Sequence, residues 1–117
     1  MEGIRHTSTV IYMTLPDNTK AFIRYRVDNN VMKLLETYTP PQHRGKGIAG
    51  QLMEYAVNMA KEKGYLIEPI CSYSIYYFLK HKEAREWLAE PYRSMSDEEL
   101  KSLFEKRLEE EKSKEGE

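Results

Sequence analysis

Glycine and basic residues crowd into one stretch of the chain, Thr39-Pro40-Pro41-Gln42-His43-Arg44-Gly45-Lys46-Gly47-Ile48-Ala49. Its chemistry is anion binding. Gly45 and Gly47 let the backbone turn tightly and present successive N–H groups, while a helix starting just after them turns its positive dipole end to the same place. Arg44 and Lys46 add charge-assisted contacts to a phosphate, and His43 adds another when protonated. A second spelling competes, because Gly45, Gly47 and Gly50 satisfy GxGxxG and the acidic Glu68 follows, as in dinucleotide-binding units. It is discounted: Pro40 to Arg44 intervene before the first glycine, and a dinucleotide fold needs more βαβ units than 117 residues hold. The plain alternative is a strand-to-helix connection whose Arg and Lys are merely solvated.

The elements that must hold this loop are legible from periodicity. Thr9 to Leu15 alternates, with Ile11, Met13 and Leu15 on one side, and Pro16-Asp17-Asn18-Thr19 supplies a turn. Lys20 to Val27 alternates more cleanly, with Ala21, Ile23, Tyr25 and Val27 on one face and Lys20, Arg24 and Arg26 on the other. Asp28-Asn29-Asn30 favours a tight turn, so Val31 to Thr39 reads as a third antiparallel strand with Met32, Leu34, Glu36 and Tyr38 on one side. Pro40-Pro41 ends the pairing, since neither residue offers an N–H. From Gly47 to Lys63 the apolar residues recur at helical spacing, and Gly64 stands where such a helix stops. Tyr65 to Ile70 fits a fourth strand, parallel to the third because a helical crossover returns the chain in the same direction. Residues 72 to 82 read as a second helix, with Trp87-Leu88 packing its end down. The glycine loop and Cys71 therefore both fall at the carboxyl ends of adjacent parallel strands, where α/β units place ligands.

Ser96-Asp97-Glu98-Glu99 spells a capping box that opens a third helix to about Lys112, with 113 to 117 frayed. Its Leu100, Leu103, Phe104 and Leu108 form a stripe that must dock on the domain or on a second copy. The expected divisions are residues 1–95, the working domain, and residues 96–117, an acidic amphipathic tail. Residues 96 to 117 hold 5 basic and 9 acidic residues, leaving 13 basic and 10 acidic in residues 1 to 95. One expected docking pairs Glu99, Glu105 and Glu109 with the Lys20, Arg24 and Arg26 face; the alternative is an independently solvated helix.

A chain of 117 residues and 13.8 kDa with 40% hydrophobic residues makes one domain with a real core. The net charge of -1 gives no field for nucleic acid or membrane. Basic and aromatic residues do not interleave into a stacking platform, which weakens a nucleic-acid reading further. Cys71 is the single cysteine, so no disulfide forms within the chain and no multi-cysteine zinc site is available. His6, His43 and His81 lack ligand spacing, and no metal is expected. With neither a bilayer-spanning run nor a signal-peptide core at Met1 to Tyr12, a soluble cytoplasmic protein, monomer or homodimer, is the expectation.

Arg44-x-x-Gly47-x-Ala49 resembles the R/Q-x-x-G-x-G/A acetyl-CoA signature of the GNAT superfamily of N-acetyltransferases, and Gln42-x-x-Gly45-x-Gly47 matches in a second frame. Ala21-Phe22-Ile23-Arg24-Tyr25, Thr37-Tyr38-Thr39-Pro40, Pro69-Ile70-Cys71-Ser72-Tyr73 and Phe78-Leu79 resemble the minimal, single-domain YjdJ-type branch, over about residues 20 to 90. The resemblance implies an α+β, GNAT-like three-layer fold: antiparallel strands leading into a β-α-β unit with splayed parallel strands, here plus an extra C-terminal helix. It implies acetyl-CoA as cofactor, with the pyrophosphate on the amides of residues 44 to 49, where Ile48 and Ala49 open the helix. Pantetheine would run beside Thr37, Tyr38 and Thr39 like a false strand, and the thioester would arrive near Cys71 and Ser72.

The implied reaction is acetyl transfer to an amine of unread identity, which needs a proton acceptor and a donor N–H for the developing oxyanion in the Tyr38 or Thr39 region. The YjdJ-type pattern usually has His where Glu36 stands. Glu36 is then either a partly buried base or a solvent-facing strand residue. Cys71 forms an acyl-enzyme, orients the thioester or fills a small buried space. Tyr73, with Tyr76 and Tyr77 behind it, is a candidate proton donor to the departing thiolate or else core. A non-catalytic acyl-CoA-binding module is the alternative function.

Overall fold

A computed structural model describes residues 3–115. The alternating segments form strands β1 (Ile4–His6), β2 (Val10–Thr14), β3 (Lys20–Asp28), β4 (Val31–Tyr38) and β5 (Leu66–Pro69). The periodic ones form helices α1 (Ile48–Lys63), α2 (Ser72–Lys80) and α3 (Asp97–Glu115). All five strands join one sheet in the order β1-β2-β3-β4-β5, antiparallel up to β4 and parallel between β4 and β5. The architecture is α+β, as expected. Strand β1 is an addition to the expected set: at three residues it is too short for periodicity to reveal, yet its Ile4 is buried.

One face of the sheet makes the core. Ala21, Ile23 and Tyr25 of β3, with Met32 and Leu34 of β4, are buried together with Leu52, Met53 and Ala56 of α1 and Phe78 of α2. The opposite face carries Arg24 and Arg26, whose side chains are more than half exposed and pair with Glu36 and Asp28. Helix α1 stops at Gly64, which takes φ +74° and donates its N–H to the Ala60 carbonyl.

The register of β3 and β4 corrects the expected faces. Tyr25 pairs Leu34 but Arg24 pairs Glu36, so Leu35 is an extra residue on β4, a β-bulge. Because side chains alternate, one inserted residue reverses every face beyond it. Glu36 and Tyr38 therefore leave the side of Met32 and Leu34 and join that of Arg24 and Phe22, while Thr37 turns to the side of Leu34 and Ile23. The adjacent pair Leu34-Leu35, which breaks strict alternation, is the sequence signal for this.

Strands β4 and β5 stay in register from Val31↔Leu66 to Leu34↔Pro69, then part. The Ile70 and Cys71 N–H groups both donate to the Leu34 carbonyl, at 3.1 and 3.0 Å, and the chain turns at once into α2. Strand β4 runs on to Tyr38 without β5 beside it.

Helix α3 also departs from expectation. The capping box forms as read, with Ser96 N–H donating to Glu99 Oε1 at 2.9 Å and Glu99 N–H to Ser96 Oγ at 3.1 Å. The helix packs on α2 rather than on the basic sheet face. Leu100 is fully buried and the Phe104 ring lies 5.8 Å from that of Tyr76. An apolar stripe gains only against apolar surface, which α2 offers and the Arg24 and Arg26 face does not. Asp97 anchors the start through Lys82 at 2.8 Å and Arg85 at 2.6 Å.

Candidate active site

Where β4 outruns β5, a cleft of about 810 Å³ opens between Thr37–Thr39, the glycine loop and the start of α2. That size suits a small-molecule ligand, for which roughly 300–1,000 Å³ is usual. Gly45 and Gly47 take φ of +82° and +78°, and a Cβ on either meets nothing within 4 Å, so both face open space. Among the described residues no backbone N–H from Gly45 to Gly50 finds a protein acceptor; the first to do so is Gln51, bonded to the Gly47 carbonyl at 3.2 Å. No acidic side chain stands in the first turn of α1. The loop is thus a run of free donors with a helix dipole behind it, which favours an anion.

The side chains around the loop are committed to holding it. Arg44 Nε donates to the Thr39 carbonyl at 2.8 Å, with its guanidinium 5.9 Å from the Tyr38 ring. Gln42 Nε2 donates to Asp17 Oδ2 at 3.1 Å, His43 Nε2 lies 3.0 Å from the same oxygen, and Lys46 Nζ lies 3.3 Å from His43 Nδ1. Gln42, expected in the cofactor signature, and His43, an expected phosphate partner, therefore spend their side chains on Asp17, tying the loop to the β2–β3 turn. Hydrogen bonds from Thr19, then Gln42 and His43, hold the Asp17 carboxyl well below the usual carboxylate range. In the sequence Asp17 reads only as a turn residue; nothing local marks Gln42 and His43 as its partners, since they lie 25 and 26 residues away.

The bulge brings Thr37 to the thiol. Thr37 Oγ1 lies 3.3 Å from Cys71 Sγ, and Cys71 is 6% exposed. The main chain of Thr37 also faces the gap: Tyr25 N–H donates to the carbonyl of Thr9, just before β2, polar groups alternate along β3, and so Ile23, the partner of Thr37, faces β2 as well. The N–H and C=O of Thr37 are thereby left toward the side β5 has vacated. Glu36 stands on the cleft wall, half exposed, bonded to Arg24 Nε at 3.0 Å. Burial, reinforced by Tyr76, pushes the Tyr73 phenol above its ordinary value, and its hydroxyl lies 3.6 Å from where a Gly50 Cβ would stand.

The N-terminus of α2 has no cap of its own, since the side chain of Cys71 makes no capping bond. Glu111 of α3 fills that place: Ser72 N–H donates to Glu111 Oε2 at 2.9 Å and Ser72 Oγ to Oε1 at 2.5 Å. Glu111 and Lys114 line the same cleft. Neither was singled out from sequence, where they belong to a Glu- and Lys-rich end without pattern. Among the described residues, no group of three His, Cys, Asp or Glu side chains is placed to hold a metal ion, and no helix is long and apolar enough to cross a membrane.

The family model for GCN5-related N-acetyl-transferases matches residues 11–87, more than half of the chain. The chain belongs to the GCN5-related N-acetyltransferase family. Its fold resembles the solution NMR structure of a GCN5-like candidate N-acetyltransferase from Staphylococcus aureus, with a TM-score of 0.61 and 25% identity over 76% of this chain and 91% of that one. The matched stretch spans β2 to the turn after α2, and so includes the glycine loop, Thr37 and Cys71 but not α3.

Proposed function

We propose that this member of the family is an acetyl-CoA-dependent N-acetyltransferase of the minimal, single-domain type. One observation carries the reading: the donors from Gly45 to Gly50 have no partner among the described residues and open into a cleft that ends at Cys71. A diphosphate fits this cradle, because both left-handed glycines leave room for it and the helix dipole favours its charge. When bound, acetyl-CoA supplies an acetyl group activated as a thioester.

The chain's own residues do the rest. The amides of Gly45, Lys46, Gly47, Ile48 and Ala49, with the Arg44 guanidinium at the mouth, hold the diphosphate. Thr37 offers its main-chain N–H and C=O as a free strand edge, and Tyr38 and Thr39 continue that edge toward the loop. Cys71 is a positioning residue, buried and held to Thr37 Oγ1, which together with Ser72 lines the acyl end. Tyr73 keeps its proton at Oη at neutral pH, since its phenol is pushed up, and donates it to the departing thiolate. Glu36 accepts the amine's proton at its carboxylate, with bulk water behind it. Its engagement by Arg24 makes it a route to solvent rather than a desolvated base.

That engagement also favours a second reading, an acyl-CoA-binding module without catalysis. Calorimetry with CoA and acetyl-CoA, followed by thiol release from acetyl-CoA with a panel of primary amines, separates the two. Absence of CoA binding removes both readings. Binding with no amine-dependent thiol release above background leaves only the module.

A further inference from the structure

Resting on the acetyltransferase reading, we infer that Glu111 is the acceptor-binding carboxylate of the cleft and that the acceptor is a cationic amine. Helix α3 lies outside the stretch matched by the family, 11–87, so the wall it adds stands beyond the matched domain. The Phe104 ring meets Tyr76 of α2, and further along the same helix the Glu111 carboxylate reaches Ser72. Ser72 follows Cys71 directly. One hydrogen bond of 2.9 Å and the two covalent bonds from Ser72 N back to the Cys71 Cα keep Glu111 Oε2 within about 6 Å of that Cα. A carboxylate is thereby fixed beside the acyl end of the cleft.

The charges of the cleft decide what this carboxylate serves. Arg44 stands at the phosphate loop against Thr39 and Tyr38, and Arg24 is paired with Glu36. At the α3 wall the charged groups are Glu111 and Lys114. An anionic cofactor gains nothing from Glu111, whereas an ammonium group arriving at Cys71 meets an oppositely charged group already oriented. Each Glu111 oxygen accepts one bond from Ser72 and keeps lone-pair capacity for another donor. A fixed carboxylate forms the shorter, stronger, charge-assisted bonds with an ammonium and rejects anionic acceptors.

The test titrates the CoA-saturated protein with butane-1,4-diamine and with butane-1,4-diol, following chemical shifts by NMR. Wild type is expected to bind the diamine about tenfold tighter than the diol. Glu111→Gln, which keeps an oxygen for Ser72, brings the two affinities together, while Lys114→Glu, adding a carboxylate near Glu111, raises diamine affinity about threefold. CoA affinity, measured in parallel, reports that the cleft still forms. A merely structural Glu111 shifts the melting temperature but not the diamine-to-diol ratio, and an unchanged ratio in Glu111→Gln overturns the inference, as does a wild type without preference. Should Glu111→Gln lose CoA binding too, Lys114→Glu decides, and an unchanged ratio there is equally fatal. Failure of wild type to bind CoA is a different result, which takes down the acetyltransferase reading and this inference with it.

Discussion

Replacing Gly47 by alanine separates the strain held in the loop from the ligand it admits. Gly47 is the N-cap of α1 at φ +78°, ψ 11°, and an added Cβ meets nothing within 4 Å. The cost to the fold is then conformational alone, about 1–2 kcal/mol for an L residue in the left-handed region. Gly64, at φ +74°, ψ 27° with equally empty surroundings, is the matched control at the other end of α1. Both alanine variants should lose similar stability, visible as a fall in melting temperature of roughly 4 °C for each kcal/mol. Their binding should differ. Gly47 lines the cleft, and under the proposed function an added Cβ would stand where the phosphate approaches the amides. Loss of one charge-assisted hydrogen bond, about 1.5–3 kcal/mol, raises the Kd for CoA roughly 10- to 100-fold. Calorimetric titration at 20 °C, well below both midpoints, measures it. The reasoning is refuted if Gly47→Ala binds CoA like wild type, or if Gly64→Ala is weakened as much.

Four further outcomes are expected. Because the Asp17 carboxyl is held below its ordinary value in the fold, its contribution to stability is present above about pH 4 and lost as pH falls below that; melting curves of Asp17→Asn should flatten in that acid range, and parallel curves would contradict the latch. Tyr73→Phe should lower the rate of acetyl transfer about 10- to 100-fold with little change in CoA affinity, measured by thiol release against calorimetry. Cys71→Ser should keep transfer within about tenfold of wild type, and mass spectrometry should find no acetyl adduct on wild-type Cys71; an accumulating adduct would make the thiol a covalent catalyst. Leu100→Ala, which empties a fully buried position of α3, should cost about 2–5 kcal/mol in urea unfolding, and a cost below about 1 kcal/mol would mean that α3 is not docked.

Local information determined a good deal of this protein. Alternation along Lys20 to Val27, the helical stripe from Ile48 to Ala60, the stop at Gly64 and the box at Ser96 each depend on neighbours within a few residues, and each appears where periodicity puts it. The glycine loop between a strand and a helix was equally legible, because the need for positive φ and free amides is written in residue type. Tertiary structure alone decided the rest. Leu35 became a bulge only when Arg24 and Tyr25 of β3 were paired with Glu36 and Leu34 of β4, and that single residue turned Thr37 to Cys71 and Glu36 to Arg24. Asp17 became the latch of the loop, and Glu111 the cap of α2, through partners 25 and 39 residues distant. Apolar periodicity shows which face of an element is buried, but not which other surface buries it. Periodicity names no hydrogen-bond partner for a polar side chain; partners such as these exist only once the sheet register and helix packing have brought distant backbone together.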